Sequence, residues 1–176
     1  FFKSGWSKST TESIEAIISY AINLVIPHAA EDLISAPAVT RDGRWLAYVR
    51  GSCASSGADC DGDVVVQGLP RGVSSVLVTG GRNLSIGGWS PDGSNLLVRM
   101  RSAAGQAGLY VIPREGGVAR QVAGDAYIFA FADDRTVALA RRGGGAVLLA
   151  CVSSGEVKDS VVIGDGRWVL NSLDFN

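Results

Sequence analysis

The chain has 176 residues and a net charge of −1. Hydrophobic residues make up 47% of it and charged residues 19%, and it contains 23 glycines. This length allows one domain with a sizeable core, and a glycine share well above the average of about 7% is typical of many short strands joined by tight turns. Nucleic-acid binding requires a clear basic excess, so the charge balance argues against it.

The N-terminal segment, residues 1–32, differs in composition from the rest. Lys3 and Lys8 precede an apolar run over residues 16–26, and small residues follow it, which describes a secretory signal peptide. Glu12 and Glu15 fit that pattern poorly and favour an amphipathic helix instead. Both interpretations stay open. The apolar run is too short to span a bilayer, so we expect no stable membrane span.

The next segment, 33–81, is predicted to form a first unit of short strands, with later strands over 63–69 and 75–79. A Gly/Ser-rich loop within it contains Cys53 and Cys60, which are close enough in sequence for a small-loop disulfide. Such a bond would imply an oxidising compartment, and two reduced thiols are the alternative. Cys151 lies in an apolar run and is predicted to be a buried small hydrophobic residue.

Two further units are predicted at 82–124 and 125–164, and a fourth begins at 165–176. Their later strands are expected over 108–113 and 119–123, and over 146–152 and 157–163.

The first two strands of each unit repeat one pattern, in the segments 36–50, 86–100 and 128–142. Each has a strand that ends in an apolar residue, then a turn that contains Asp, then a second apolar strand. The spacing of these segments is close to the roughly 40–45 residues of a four-stranded propeller blade, and the cysteine loop explains a longer first interval. We therefore predict an all-β fold: a partial β-propeller of three four-stranded antiparallel blades plus the first strand of a fourth, after an N-terminal helical or signal-like segment.

The turn residues of the repeat have a mechanical explanation. Pro91 presets the backbone for a turn, Asp92 can accept backbone N–H groups, and Gly93 tolerates positive φ. Equivalent positions in the other units are Asp42, Gly43 and Asp134. These aspartates are predicted to form turns in separate blades and not to act as a catalytic carboxylate set.

Aromatic residues precede three of the turns and are predicted to fill the space between neighbouring blades. They are Trp89, Phe131 and Phe175.

No catalytic, cofactor-binding or metal-binding set is predicted. His28 is the only histidine and lies in the N-terminal segment, and no nucleophile elbow or phosphate-binding loop occurs. Asp59, Asp61 and Asp63 alternate as calcium ligands can, but the glycine and glutamate of an EF-hand loop are missing, so a solvated acidic loop is the preferred interpretation. We expect the chain by itself to have no hydrolytic activity and no cofactor.

The sequence WSPDGSNLLV, followed by LYVIPREGGVARQVAG, is similar to the blade repeat of TolB-like propellers. The resemblance covers residues 33–176 and is most specific in the second blade. The first turn lacks the family proline, and the third lacks both the proline and the glycine.

The resemblance implies two kinds of function. Residues 30–50 resemble the start of the N-terminal propeller of prolyl oligopeptidase-family serine peptidases, where the propeller restricts substrate access to a C-terminal hydrolase domain. The alternative is a periplasmic TolB-type propeller that binds protein partners. The expected partner is a peptide, a protein or that hydrolase domain, and the expected location is periplasmic or secreted. Because propellers close with 4–8 blades, we expect this chain to be a fragment of a longer protein.

Overall fold

The computed structural model describes residues 33–53, 60–101, 105–124, 126–141 and 145–162, and every regular element in them is a strand. The chain divides into two compact units, Phe1–Asp32 and Leu33–Asn176. The expected helical or signal-like segment and the expected start of a fourth blade at 165–176 lie outside the described residues. The strands are β1 Leu33–Val39, β2 Trp45–Cys53, β3 Cys60–Gly68, β4 Ser74–Trp89, β5 Asn95–Arg101, β6 Ala107–Pro113, β7 Arg120–Ala123, β8 Ile128–Asp133, β9 Thr136–Ala140, β10 Ala146–Cys151 and β11 Val157–Val162.

The strands form two antiparallel sheets in which neighbours in the chain are neighbours in the sheet. Strands β1 to β7 make a seven-stranded sheet, and β8 to β11 make a four-stranded one. The first half of β4 pairs with β3 and its second half pairs with β5. We call β1–β3 with the first half of β4 blade 1, the second half of β4 with β5–β7 blade 2, and β8–β11 blade 3. The prediction of an all-β partial propeller with three four-stranded antiparallel blades is confirmed.

The long strand β4 differs from the sequence prediction of two separate strands. Gly80 and Asn83 have positive φ angles of 60° and 52°, and the register with β5 shifts between Arg82 and Ser85. These irregularities allow one continuous strand to change its partner sheet without a loop. The exact blade boundaries stay a prediction.

Alternating side chains of blade 2 are buried on opposite faces, as expected for a strand period of two. In β5, Leu96, Val98 and Met100 belong to a core shared with blade 1, while Leu97 belongs to a core shared with blade 3. Blade 2 is therefore packed between blades 1 and 3, which is the arrangement that radial stacking of blades requires.

The two cores contain similar numbers of aliphatic side chains from both partners. The core between blades 1 and 2 contains Ala47, Val49, Cys60, Val64, Val66, Leu84, Leu96, Val98, Met100, Tyr110 and Ile112. The core between blades 2 and 3 contains Leu97, Leu109, Val111, Val122, Ala126, Phe131, Val137, Leu139 and Ala150.

Connections between consecutive antiparallel strands alternate between the two ends of a blade. The turns after the first and third strands of each blade consequently lie at one end, which we call the turn end. Backbone hydrogen bonds join the two turns of each blade: Leu69 N–H donates to Arg44 O (2.7 Å), Arg114 N–H to Ser94 O (2.9 Å), and Val152 N–H to Arg135 O (2.8 Å).

Candidate functional site: the turn end of the blades

The first turns of blades 1 and 2 have the same backbone hydrogen bonds. Ser90 N–H donates to Asn95 O and Gly93 N–H donates to Ser90 O, both at 2.8 Å. In blade 1, Thr40 N–H donates to Trp45 O and Gly43 N–H donates to Thr40 O, both at 2.9 Å. Gly43 and Gly93 have φ angles of 71° and 69°, a region that favours glycine. The turn geometry is thus shared even though Arg41 stands where blade 2 has Pro91.

A buried hydroxyl and an aspartate complete the turn of blade 2. The Ser90 hydroxyl donates to Asp92 Oδ1 (2.6 Å) and accepts the Asn95 N–H (3.0 Å), while Ser94 N–H also donates to Asp92 Oδ1 (2.9 Å). Ser90 is only 2% exposed. These hydrogen bonds lower the pKa of Asp92. The bond from the Ser90 hydroxyl has the largest effect, and the bond from the Ser94 backbone N–H has the next largest.

Blade 1 repeats this arrangement with a different hydroxyl residue. Thr40 donates to Asp42 Oδ1 (2.6 Å) and accepts the Trp45 N–H (3.0 Å), and Arg44 N–H donates to Asp42 Oδ1 (3.0 Å). The Thr40 hydroxyl, followed by the Arg44 backbone, lowers the pKa of Asp42. The role of these two hydroxyl residues was not predicted from the sequence. The signal available in the sequence was a Ser or Thr two residues before each turn aspartate.

The turn of blade 3 is built differently. Asp133, and not Asp134, accepts the backbone N–H of its own turn, from Arg135 at 2.7 Å. The Asp134 carboxylate accepts the Asp92 N–H of the neighbouring blade at 2.9 Å. Asp134 therefore connects two blades, and the position that the repeat alignment assigned to turn formation in blade 3 makes this contact instead.

Blades 1 and 2 are connected at the turn end by aromatic and guanidinium groups. The Trp89 indole N–H donates to Ala38 O at 3.0 Å. The guanidinium carbon of Arg114 lies 4.6 Å from the ring centre of Trp45, a cation–π distance, and its Nη1 donates to Gly93 O at 3.2 Å. The three side chains in these contacts come from β2, from β4 and from the turn that follows β6.

The other predicted aromatic positions are placed as follows. Phe131 is 7% exposed in the core between blades 2 and 3, and Phe175 lies outside the described residues. A close contact that the sequence did not suggest occurs at Gly87, where an added Cβ would lie 2.5 Å from the Phe129 ring.

The cysteines occupy distinct environments. Cys60 is disulfide-bonded, and Cys53 is its direct partner in the register of β2 and β3. Cys151 is free and buried, and the Ser153 hydroxyl, 3.1 Å from its Sγ, lowers the pKa of Cys151 to about 6.

Two of the alternating aspartates, Asp61 and Asp63, accept hydrogen bonds from backbone N–H groups. Asp63 accepts the Gly80 N–H (3.0 Å) and pairs with Arg50 (2.9 Å), and these two contacts, in that order, lower the pKa of Asp63. Asp61 accepts the Asn83 N–H (3.0 Å), and Asp59 lies outside the described residues. Within the described ranges, no three His, Cys, Asp or Glu side chains are grouped to hold a metal ion, and no helix has the length and apolarity of a membrane span.

No protein-family model and no curated protein matches the sequence. Solved structures do match. The C-terminal WD40 domain of Sif2 is 14% identical with a TM-score of 0.58, and the match covers 86% of this chain and 40% of that one. The β-propeller domain of the Trilobed protease from Pyrococcus furiosus is 15% identical (TM-score 0.55; 74% and 42% covered). TolB from Acinetobacter baumannii is 15% identical (TM-score 0.52; 73% and 32% covered).

These similarities identify the class of protein. The chain is a β-propeller module, similar in fold to a protease propeller and to TolB, as the sequence resemblance predicted. It spans less than half of the length of each of these three structures.

Proposed function

We propose that the chain is part of the non-catalytic N-terminal propeller of a secreted prolyl oligopeptidase-like serine peptidase, where it restricts which substrates reach the hydrolase domain. One observation carries the proposal. Residues 30–50 resemble the start of such propellers, and in the structure Leu33 begins β1, which pairs with β2 from Leu33↔Gly51 to Val39↔Leu46 as the first hairpin of blade 1. The fold similarity to a protease propeller supports it.

The blade junctions are suited to such a barrier. Both faces of blade 2 are buried, and a hydrogen bond connects it to each neighbouring blade. A wall of blades held in this way excludes folded proteins by size and admits short or unstructured peptides. In this role the propeller changes substrate access and performs no bond cleavage.

The experiment that tests this proposal uses the full-length gene product. We expect its reading frame to continue into a G-x-S-x-G nucleophile motif followed by Asp and His, and the purified protein to cleave short prolyl or acyl-amino peptides but not folded proteins. The variant Leu97→Ala, which loosens one blade junction, should raise cleavage of longer substrates relative to short ones. Replacement of the motif serine by alanine is the control that assigns cleavage to the hydrolase domain. A reading frame that continues only with more blades contradicts the proposal.

A second candidate is a periplasmic TolB-type module that binds a protein partner through the ring. The motif WSPDGSNLLV in blade 2 favours it, since this is the most specific part of the TolB-like resemblance, and TolB shares the fold. The same reading-frame observation separates the candidates, because additional blades without a nucleophile motif support the binding module.

Both candidates place the chain in an oxidising compartment, in which the disulfide of Cys60 would persist, and we propose that its partner is Cys53, the residue opposite it in the register of β2 and β3. The chain should be produced with and without export from the cytoplasm, and its intact mass measured without reductant. The exported form should be lighter by two hydrogens and should contain one alkylatable thiol after denaturation, that of Cys151. A fully reduced exported chain contradicts this assignment.

A further inference from the structure

A cavity of about 600 Å³ lies between the first half of β4 in blade 1 and strands β5 and β6 of blade 2. Ligand sites of small molecules have volumes of roughly 300–1,000 Å³ and combine apolar walls with a few polar groups. The apolar part of this wall includes Val78, Met100 and Ala119. The size and the lining are therefore those of a small-molecule site.

Two arginines line the cavity. Arg82 and Arg101 are direct partners in the register of β4 and β5, so both leave the same face of the ladder. Like charges directly opposite each other destabilise a strand pair. Among the described residues no carboxylate forms an ion pair with either arginine, and Arg101 donates to the Gly105 carbonyl at 2.7 Å. A bound anion would relieve the repulsion.

Two described carboxylates bond to the β4 backbone beside Arg82 and have other partners. Asp63 pairs with Arg50 and accepts the N–H of Gly80, and Asp61 accepts the N–H of Asn83, which follows Arg82. These contacts fix the β4 segment that forms one wall of the cavity. Asp61 and Asp63 therefore do not neutralise the positive charges of Arg82 and Arg101.

A buried tyrosine provides a second, independent observation. Tyr110 lines the cavity and is only 7% exposed, yet its hydroxyl makes no hydrogen bond to any described residue. No side-chain oxygen or nitrogen among the described residues is both buried and without a partner, so the Tyr110 hydroxyl is exposed to the open cavity. The Tyr110 hydroxyl is thus available to donate to a molecule in the cavity.

We propose that this cavity binds a small organic carboxylate with an apolar body. Arg82 and Arg101 neutralise the carboxylate, the Tyr110 hydroxyl donates a hydrogen bond to it, and the apolar body packs against Val78 and Met100. The site is independent of whether the propeller belongs to a peptidase or to a binding module, because it is formed entirely by blades 1 and 2.

The test compares two probes that differ only in charge. The 176-residue chain is titrated with N-acetyl-leucine and with N-acetyl-leucinamide, and binding is followed by calorimetry or NMR. We expect the carboxylate to bind at least about tenfold more tightly than the amide, as hydrogen bonds to a charged group imply. Inorganic phosphate, which has charge but no apolar body, should bind more weakly than N-acetyl-leucine.

Three variants locate the binding. Arg82→Gln should weaken N-acetyl-leucine binding by about tenfold and Tyr110→Phe by several-fold. Arg71→Gln is the matched control, because Arg71 is an exposed arginine in the turn between β3 and β4, and it should bind like the parent. Tyr110→Phe removes a hydroxyl without a described protein partner, so its unfolding midpoint should stay unchanged and show that the variant is folded.

Equal binding of the acid and the amide overturns the proposal, as does undetectable binding of N-acetyl-leucine at its solubility limit. Phosphate binding as tight as that of N-acetyl-leucine would show that the apolar body adds no affinity, and this would overturn the proposed ligand class. Unchanged binding by Arg82→Gln in a folded variant would show that the cavity is not where the carboxylate binds.

Discussion

The junction between blades 1 and 2 and the junction between blades 2 and 3 are built from the same repeated unit but connected by different polar contacts. In the first, the Trp89 indole reaches the Ala38 carbonyl and Arg114 lies over the Trp45 ring. In the second, Asp134 accepts the Asp92 N–H, and a glycine allows the Phe129 ring to approach the backbone. Both junctions have a continuous aliphatic core.

The repeat therefore encodes hydrophobic faces and turns, while the contacts that connect neighbouring blades are specific to each pair. Alternating apolar residues suffice to pack one sheet on the next, because burial depends on area and not on direction. Hydrogen bonds need defined partners, and different side chains form these bonds at the two junctions. The variants below should therefore affect the cores equally and the polar contacts unequally.

The largest effect is expected from Leu96→Ala and Leu97→Ala, which truncate neighbouring residues on opposite faces of β5. Both side chains are fully buried, so each variant should lower the free energy of unfolding by about 2–5 kcal/mol. Val73→Ala, at an 89% exposed position, is the control and should change it by less than about 0.5 kcal/mol. Urea denaturation measures all three, and a small effect at only one leucine would show that one face of blade 2 is unpacked.

The next effect tests the junction between blades 2 and 3 alone. Gly87→Ala places a Cβ against the Phe129 ring, so we expect a loss of about 1–3 kcal/mol from overpacking. Gly124→Ala is the matched control, since an added Cβ there meets no atom within 4 Å. A double-mutant cycle with Phe129→Ala should show coupling between the two positions. Independent, additive effects would contradict the close contact.

The polar connections should cost less. Trp89→Phe keeps most of the ring but leaves the Ala38 carbonyl without its donor, and should destabilise the chain by about 1 kcal/mol. Asp134→Ala removes an exposed acceptor and should cost about 0.5 kcal/mol. Thermal or urea unfolding compares the two variants. A larger loss for Asp134→Ala than for Trp89→Phe would contradict the expectation that the indole hydrogen bond between blades 1 and 2 contributes more stability than the Asp134 hydrogen bond between blades 2 and 3.

The smallest effect is a dependence on acid. The folded-state pKa values of Asp42, Asp63 and Asp92 are lowered below the unfolded value of about 3.9, so their contribution to stability is present above that pH and is lost as pH falls through the folded-state values. Unfolding measured between neutral pH and about pH 2 should show stability declining below about pH 4. The double variant Asp42→Asn/Asp92→Asn should flatten this decline. An unchanged acid profile in that variant would contradict the role of the two turns.

Much of the blade structure could be predicted from the sequence because it follows local patterns. The strand expected over 108–113 is observed as β6, Ala107–Pro113, and that expected over 157–163 as β11, Val157–Val162. The continuity of β4 could not be predicted, since Gly80 and Gly81 are typical turn residues. Pairing with both β3 and β5 keeps that segment within the sheet despite the positive φ of Gly80, and such tertiary pairing is not encoded locally.

The candidate sites were predictable only where one turn contained all the partners. Asp42 and Asp92 lie in turns whose chemistry is local. Asp133 and Asp134 are adjacent in a shorter turn, and sequence alone does not show which of them faces the neighbouring blade. The pairing of Arg82 with Arg101 depends on a register shift within β4, so the cavity between blades 1 and 2 could not be predicted from the sequence.

The central claim is that blade 2 is packed between blades 1 and 3, with Leu96 and Leu97 in different cores. Methyl-selective NOE measurements on the 176-residue chain test it most directly. We predict contacts from Leu96 to methyl groups of its core in blade 1, such as Val49 and Val64, and from Leu97 to methyl groups of blade 3, such as Val137 and Leu139. NOEs from both leucines to the same set of residues would contradict the stacked arrangement of the blades.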